Sequence, residues 1–430
     1  MKKKIKYIIA IIISIILITY YISNNSFPRL KSFAENNLPK NIYILGKFIV
    51  SNKINISRNL NDYNVKFLPQ TEFIDLEFTK IKIDILEKEN QGYLAAYKKK
   101  QFSYHLARHK NFIFLAAARG KIFFSDIDNI KDPKNTFKML QHNIEDLIFS
   151  FRDMIVDDGK IYISIDNRIK NGCNVIKVYV AEINISKKLN FKNLFSNSEC
   201  VSDMAGGRMQ AWVHKGEKSI LLSTSADILK NKNEGDSKPQ DDGSIYGKIL
   251  VINVQNGNFE IFSKGHRNSI GLYANIKDAV ILNTENGPRG GDEINSIIFG
   301  KNYGWDIASY GRKYDHSLQH DNSIIDYKLS HEDNDFEEPI FSFVPSIGIT
   351  EIIKLDNNFS KQWFNNYLIA SMNSKHLYRV KFDNNFTKIL FKEKIYIGER
   401  IRDLFYLADK KQILLALEET GSIGVLELKN

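Results

Sequence analysis

The chain has 430 residues, 43% of them hydrophobic and 12% aromatic. That is enough apolar material for one large core or two ordinary ones, and it excludes disorder as the general state. The formal charge of +10 comes from basic residues dispersed along the chain; nucleic-acid binding needs a clustered basic face, none is visible, and that class is set aside.

Lys2, Lys3, Lys4 and Lys6 precede a near-continuous apolar run from Tyr7 to Ile22, with Tyr20 and Tyr21 at its far end. At about 1.5 Å per residue the run spans about 24 Å, which reaches across a hydrocarbon core of about 30 Å only if the lysines snorkel and the tyrosines sit at the interface. Tyr21 and Ile22 precede Ser23, so no small-x-small cleavage site follows and the segment reads as an uncleaved signal anchor rather than a removed signal peptide. The expected organisation is a basic cytoplasmic tail over 1–6, a single-pass membrane anchor over 7–23, and a main domain outside the cytoplasm, in a periplasm or equivalent space.

Residues 24–100 are rich in Asn and Lys and broken by Pro28, Pro39 and Pro69, which suggests a tether with a small β-containing lead-in. From about His105 the pattern turns repetitive. Short apolar or alternating runs (NFIFLAAA, KIFFSDI, GKIYISI, VIKVYVAEI, SILLSTSA, GKILVINV) are separated by Gly, Asn and Asp, the signature of strands and turns. The segments IIKLDNNF (352–359) and RVKFDNNF (379–386) each run an alternating strand into an Asp-Asn-Asn corner, where side chains that bond their own backbone and tolerate left-handed geometry belong. Many short strands over 101–430 suit a β-propeller of several blades, although periodicity alone also allows a large sandwich or a β-helix. Cys173 and Cys200 are the only cysteines; in an oxidising compartment they can pair, or they stand apart as two small residues near loops.

Three linked segments carry the strongest signal: Gly265-His266-Arg267-Asn268 with Gly271 and Leu272, then Glu285 to Asn295 (ENGPRGGDEIN), then Asn302 to Trp305. VPS at Val344 to Ser346 and GERIRD at Gly398 to Asp403 support them. In order and spacing this resembles the soluble aldose and glucose/sorbosone dehydrogenase family. The resemblance covers roughly 104–428 and implies an all-β, six-bladed propeller that binds pyrroloquinoline quinone (PQQ) and calcium and oxidises an aldose at C1 for a respiratory electron acceptor. It assigns Arg267, Asn268, Arg400 and Arg402 to the quinone, a planar tricarboxylate of the kind guanidinium groups pair with bidentately and stack upon. It assigns the backbone carbonyls of Gly287 and Pro288 to calcium, a hard cation that prefers oxygen, and positions matching Glu293 and Tyr303 to a second, structural calcium found in some relatives.

Several positions depart from that pattern. The family's general base is a histidine; the matching stretch here runs Asp203, Met204, Ala205, Gly206, Gly207, Arg208, and a thioether takes no proton near neutral pH. Loss of a positioned base costs about 10² to 10⁴ in rate, leaving Asp203 and Arg267 as catalytic candidates. Ile270 stands where relatives often carry a glutamine, and Asn373 where some carry a lysine, with Lys375 two residues on and on the same face if the segment is a strand. Asp203 and Asp227 match family aspartates, while Asn143 aligns with the usual second-blade glutamine. Among other histidines, His142 lies beside Asn143, His266 reads as structural, and His214 and His331 read as surface residues, the latter within a solvated acidic loop (HEDNDFEE). No HExxH, GxSxG, GK[ST] or EF-hand spacing occurs. The expectation is therefore a membrane-tethered, quinone-dependent sugar dehydrogenase. The alternatives are a propeller that has lost oxidation and binds a carbohydrate or protein at the cell envelope, and a different calcium-dependent reaction, such as lactone hydrolysis, in the same cleft.

Overall fold

In a computed structural model of the protein, the described residues are 66–67, 71, 74–89, 92–94, 99–117, 120–132, 136–169, 173–202, 205–226, 238–313 and 327–429. They belong to one compact unit, 61–314 with 325–430. The anchor expected at 7–23 lies outside them, and among them no helix is long and apolar enough to cross a membrane.

The alternating runs become antiparallel strands. β1 (Lys66–Phe67) and β2 (Leu76–Lys82) come first, then a short helix α1 (Asp84–Glu89) and a hairpin of β3 (Gly92–Leu94) and β4 (Lys99–Gln101). Blade 1 comprises β5 (Tyr104–His109), β6 (Phe112–Ala117), β7 (Lys121–Asp126) and β8 (Lys138–Leu140). Blade 2 holds β9 (Ser150–Asp157), β10 (Lys160–Arg168), β11 (Asn174–Glu182) and β12 (Lys192–Ser196). Blade 3 holds β13 (Gly206–His214), β14 (Glu217–Thr224), β15 (Lys248–Asn253) and β16 (Phe259–Lys264). Blade 4 follows with β17 (Ser269–Asn275), β18 (Val280–Glu285), β19 (Asp292–Ser296) and β20 (Phe341–Phe343). Blade 5 has β21 (Ile349–Lys354), β22 (Tyr367–Ser371), β23 (His376–Phe382) and β24 (Ile389–Tyr396). The two Asp-Asn-Asn corners join β21 to β22 and β23 to β24, and Asp356 and Asp383 accept backbone N–H groups two to five residues on.

Blade 6 is assembled from both ends of the described chain. β25 (Ile401–Leu407), β26 (Gln412–Leu417) and β27 (Ser422–Leu428) are completed by β2, which pairs antiparallel with β27 from Leu76↔Leu428 to Lys82↔Ser422. The propeller thus takes its closing strand from the segment read as a lead-in. The innermost strands β5, β9, β13, β17, β21 and β25 each pack on the next, and β25 packs on β5, which makes the six-bladed ring that was expected. Because strand side chains alternate between faces, every blade is apolar on both sides, and six buried clusters fill the six seams between neighbouring blades.

The seams converge on a polar axis. In five inner strands the register slips by at least one residue near the entrance, at Arg152, Gly207, Ile270, Thr350 and Arg402; such bulges re-aim side chains. At the next position stand Asp153, Arg208, Gly271, Glu351 and Asp403, with His105 in blade 1. Asp153 accepts the Met209 N–H of blade 3 at 2.7 Å, Asp403 the Leu106 N–H of blade 1 at 2.7 Å, and Glu351 the Leu272 N–H of blade 4 at 3.2 Å. Arg208 Nη1 lies 2.9 Å from Asp403, 3.0 Å from His105 Nδ1, 3.1 Å from Asp153 and 3.2 Å from Glu351. Its Nε donates to the Ile270 carbonyl at 2.9 Å and its Nη2 to the Arg402 carbonyl at 3.0 Å. One side chain therefore bonds groups from the other five blades.

Burial raises Glu351 to about 8 and Asp153 to about 6, against the pull of Arg208 and with the push of the neighbouring carboxylates. Burial, and then the guanidinia of Arg208, Arg402 and Arg152, hold His105 well below its ordinary range, so it is neutral and accepts from Arg208. Removing the cation strands buried carboxylates, and Arg208→Met should cost about 3–5 kcal/mol in denaturant unfolding. The carboxyls bind protons in the native state that they release in the unfolded one, so their contribution, complete at low pH, is lost as pH rises toward about 8. Melting temperature should accordingly fall through that range in the wild type and fall less steeply in Glu351→Gln; identical slopes would contradict the assignment.

Candidate functional site

In this antiparallel topology the connectors entering each inner strand and the loops between the second and third strands of each blade open on one end of the ring. That end collects the GHRN connector before β17, the GPRGG loop between β18 and β19, the VPS connector before β21, the 372–375 loop, and the 397–400 connector with the 418–421 loop. Segments far apart in the chain thus meet at one mouth. Asp203, Met204 and Asp227 lie outside the described residues. Among the described residues, Cys173 and Cys200 form a disulfide with Cα atoms 5.6 Å apart, and the Ala205 N–H donates to Ser225 Oγ at 2.9 Å.

On one side of the mouth, Glu418 is fully buried and serves two arginines. Arg400 Nε donates to one carboxylate oxygen at 2.7 Å and Arg402 Nε to the other at 2.8 Å. Burial would raise this carboxyl, but Arg402 and Arg400 outweigh it and hold Glu418 below its ordinary value, so one negative charge stands against two positive ones. Arg400 Nη1 also reaches Asn373 Oδ1 at 2.8 Å and Nη2 the Met372 sulfur at 3.3 Å. Both guanidinia keep a solvent-facing edge, the side chains being 18% and 21% exposed. Asn373 and Lys375 lie in the loop between β22 and β23, not on a strand, so the same-face relation does not apply; Lys375 turns to Glu419 instead, at 2.8 and 3.0 Å.

Across the mouth, Arg267 is held by its backbone N–H on Glu285 at 3.0 Å, and its guanidinium lies 5.2 Å from the centre of the Trp305 ring. Nη1 donates to the carbonyls of Asn286 at 2.7 Å and Gly287 at 3.0 Å. Beside it Asn268 carries a buried amide oxygen with no partner among the described residues. KNYGW packs under GHRN, with Trp305 N–H on the Gly265 carbonyl at 3.0 Å and Tyr303 stacked on His266 at 4.8 Å. Gly265 has φ +78°, and a Cβ there would stand 2.2 Å from Asn302 Oδ1, so only glycine allows this packing.

Beneath the GPRGG loop, Glu293 faces Glu285 across the sheet. Burial and then the Glu285 charge push its carboxyl well above the ordinary carboxylate range. Its oxygens lie 3.5 Å from the Asn295 amide and 3.7 Å from His331 Nε2. The Tyr303 hydroxyl donates to the Ser296 carbonyl and accepts the Ile298 N–H at 2.9 Å. His331, expected at the surface, is buried, because Glu338 gathers the N–H groups of His331 and Glu332 and folds the acidic loop inward; the rest of that loop is largely solvated, as expected. His142 is buried against the Gly120 carbonyl at 2.6 Å, and Asn143 brackets the Phe191 backbone at 2.8 and 3.1 Å, so neither side chain is directed to the mouth.

An anionic, planar, oxygen-rich ligand fits the paired arginines and Arg267, whereas the orphaned Asn268 amide oxygen is an acceptor and would take a ligand N–H or O–H, not an anionic oxygen. A calcium ion on the Gly287 carbonyl fits only if Arg267 withdraws, and among the described residues no three His, Cys, Asp or Glu side chains group to hold a metal. Sequence reasoning missed Asp292, which organises the loop instead of binding a ligand. Its buried carboxylate accepts Gly287 N–H at 3.1 Å and the N–H groups of Ile347, Gly348 and Ile349 at 2.9, 2.7 and 3.1 Å, pinning GPRGG to the VPS connector. Asp292→Ala should cost roughly 2–4 kcal/mol through the stranded donors and speed amide exchange in 286–291 and 346–349 above all; unchanged protection there would refute the role.

The model of the glucose/sorbosone dehydrogenase family matches residues 149–425. An aldose sugar dehydrogenase of Escherichia coli is 28% identical over 261 residues, 57% of this chain and 66% of that protein. The chain spans less than two thirds of the length of the curated relatives it matches. In three dimensions it resembles the soluble aldose sugar dehydrogenase of E. coli in its apo form, with a TM-score of 0.64 at 17% identity over 82% of this chain and 99% of that one. It also resembles the PQQ-bound aldose sugar dehydrogenase of Streptomyces coelicolor, with a TM-score of 0.57 at 17% identity over 76% and 94%. With the family model matched over more than half of its length, on the blades that carry the arginine-lined mouth, this chain belongs to the glucose/sorbosone dehydrogenase family.

Proposed function

We propose that the chain is an exported, membrane-anchored sugar oxidoreductase that holds PQQ in the mouth of the propeller and acts on the C1 hydroxyl of an aldose, with a respiratory electron acceptor. The observation that carries this reading is the convergence of Arg267, Arg400 and Arg402 at one end of the ring. Arg400 and Arg402 would bind quinone carboxylates with the N–H groups that Glu418 leaves open, while Glu418 fixes their planes. Arg267 and Asn268 would address the opposite edge. What the bound group supplies is a two-electron acceptor for a sugar alcohol. The Cys173–Cys200 disulfide and the Lys-rich apolar start support an oxidising, extracytoplasmic location.

The weak element is proton removal. Met204 stands at the position of the family base, and His105, neutral on the axis, is engaged by Arg208. That observation favours a second reading, a propeller that binds a carbohydrate or protein at the cell envelope without oxidising it. Titration of the purified chain with PQQ and calcium should raise its melting temperature, with little dye reduction by aldoses, and Met204→His should raise turnover by about 10² to 10⁴. No thermal shift at any PQQ concentration would sink the cofactor reading; a shift with no gain in the histidine variant would favour the binding role.

A further inference from the structure

Phe151-Arg152-Asp153-Met154 and Ile401-Arg402-Asp403-Leu404 share a pattern of apolar, Arg, Asp, apolar, and the fold gives both the same place. Each arginine is the extra residue of a bulge in an innermost strand, and the aspartate after it accepts an N–H from the next blade. Blade 1 lies between blades 6 and 2, so the two arginines flank β5, and both guanidinia act on His105 from either side. Arg402 has a place in the reading above; Arg152 has none. Its side chain is 23% exposed and Nη2 donates to Asp166 at 3.0 Å, but Nε is buried with no acceptor among the described residues. A buried donor without a partner is costly, and a turn of the partly exposed guanidinium that brings Nε to an anion oxygen in the mouth would satisfy it. The neighbouring inner strand makes room: Gly207 has φ +92°, and a Cβ there would stand 2.3 Å from Arg152 Cβ.

We infer that Arg152, opposite Arg402 across the head of β5, is a carboxylate-binding residue of the mouth, and that the carboxylate belongs to the quinone or to an acidic sugar of the uronic acid class. The inference rests on the reading of this end of the ring as the ligand cleft. Guanidinium suits this task because its planar fork matches a carboxylate and cannot lose its charge.

Isothermal titration of the full chain with PQQ and, separately, with glucuronate tests it, using wild type, Arg152→Leu, and Arg152→Leu with Asp166→Asn, which removes the carboxylate that the single change strands. Affinity for at least one ligand should fall roughly tenfold to a hundredfold in both variants, the loss expected for a charge-assisted hydrogen bond. A loss for PQQ assigns the seat to the cofactor. A loss for glucuronate alone assigns it to the substrate, and would stand even if PQQ failed to bind and the cofactor reading fell. Unchanged affinity for both ligands in both variants would overturn the inference and leave the cofactor reading intact. If wild type binds neither ligand, both are overturned.

Discussion

The Arg208 guanidinium sits on the propeller axis with a hydrogen bond or ion pair to each of the other five blades, and the remaining features of the mouth follow from that knot. A ring of blades held only by apolar seams can slide, because hydrophobic burial has no direction. Three carboxylates that each clip a neighbouring strand, gathered on one cation, set how far every inner strand extends toward the entrance. Burying them is expensive and is tolerable only because nearly every lone pair finds a donor and Glu351 keeps its proton. The bulges beside this ring turn Arg152 and Arg402 upward, so the hub that closes the fold also presents the charges at its opening.

The mouth is built from two kinds of residue. Asp292 spends its side chain on backbone N–H groups, and Asn302 accepts the Gly304 N–H while its amide donates to Gln240, so both hold loops in place. Arg402 is fixed by Glu418, Arg400 by Glu418, Asn373 and Met372, and Arg267 by two loop carbonyls and the Trp305 ring; Arg400 and Arg402 stay partly exposed at the opening. Glu418 is a special case, since a single carboxylate between two arginines orients both without cancelling their charge. Arg267 bonds the carbonyl that the family resemblance assigns to calcium, so cation and guanidinium compete for one oxygen.

Much of this was legible in the sequence where the signal was local. Alternation and Gly, Asn and Asp corners marked most strands, and the Asp-Asn-Asn segments fell at turns of blade 5. The family resemblance carried by the segments from GHRN to KNYGW implied a six-bladed propeller, and those segments do meet. What was not legible depends on contacts between distant positions. Nothing in LEFTKIK announces that it closes the ring against the last strand, and His331 is buried because Glu338 folds its loop inward. Asp292 reads as part of a loop motif until the N–H groups of the next connector arrive at it. Arg152 left a trace that could have been followed, the repeat of the FRDM pattern in IRDL. The same-face relation of Asn373 and Lys375 failed because a tight loop, with Lys375 at φ +59°, stands where a strand was assumed.

The central claim is that the arginine-lined mouth is a seat for an anionic quinone. Crystals of the full chain grown with PQQ and calcium test it most directly. The account predicts quinone density between the Arg400–Arg402 pair and Arg267, with Asn268 bonded and Arg267 swung away from the Gly287 carbonyl. An empty mouth at saturating PQQ, with Arg267 still on the carbonyls of Asn286 and Gly287, would contradict it.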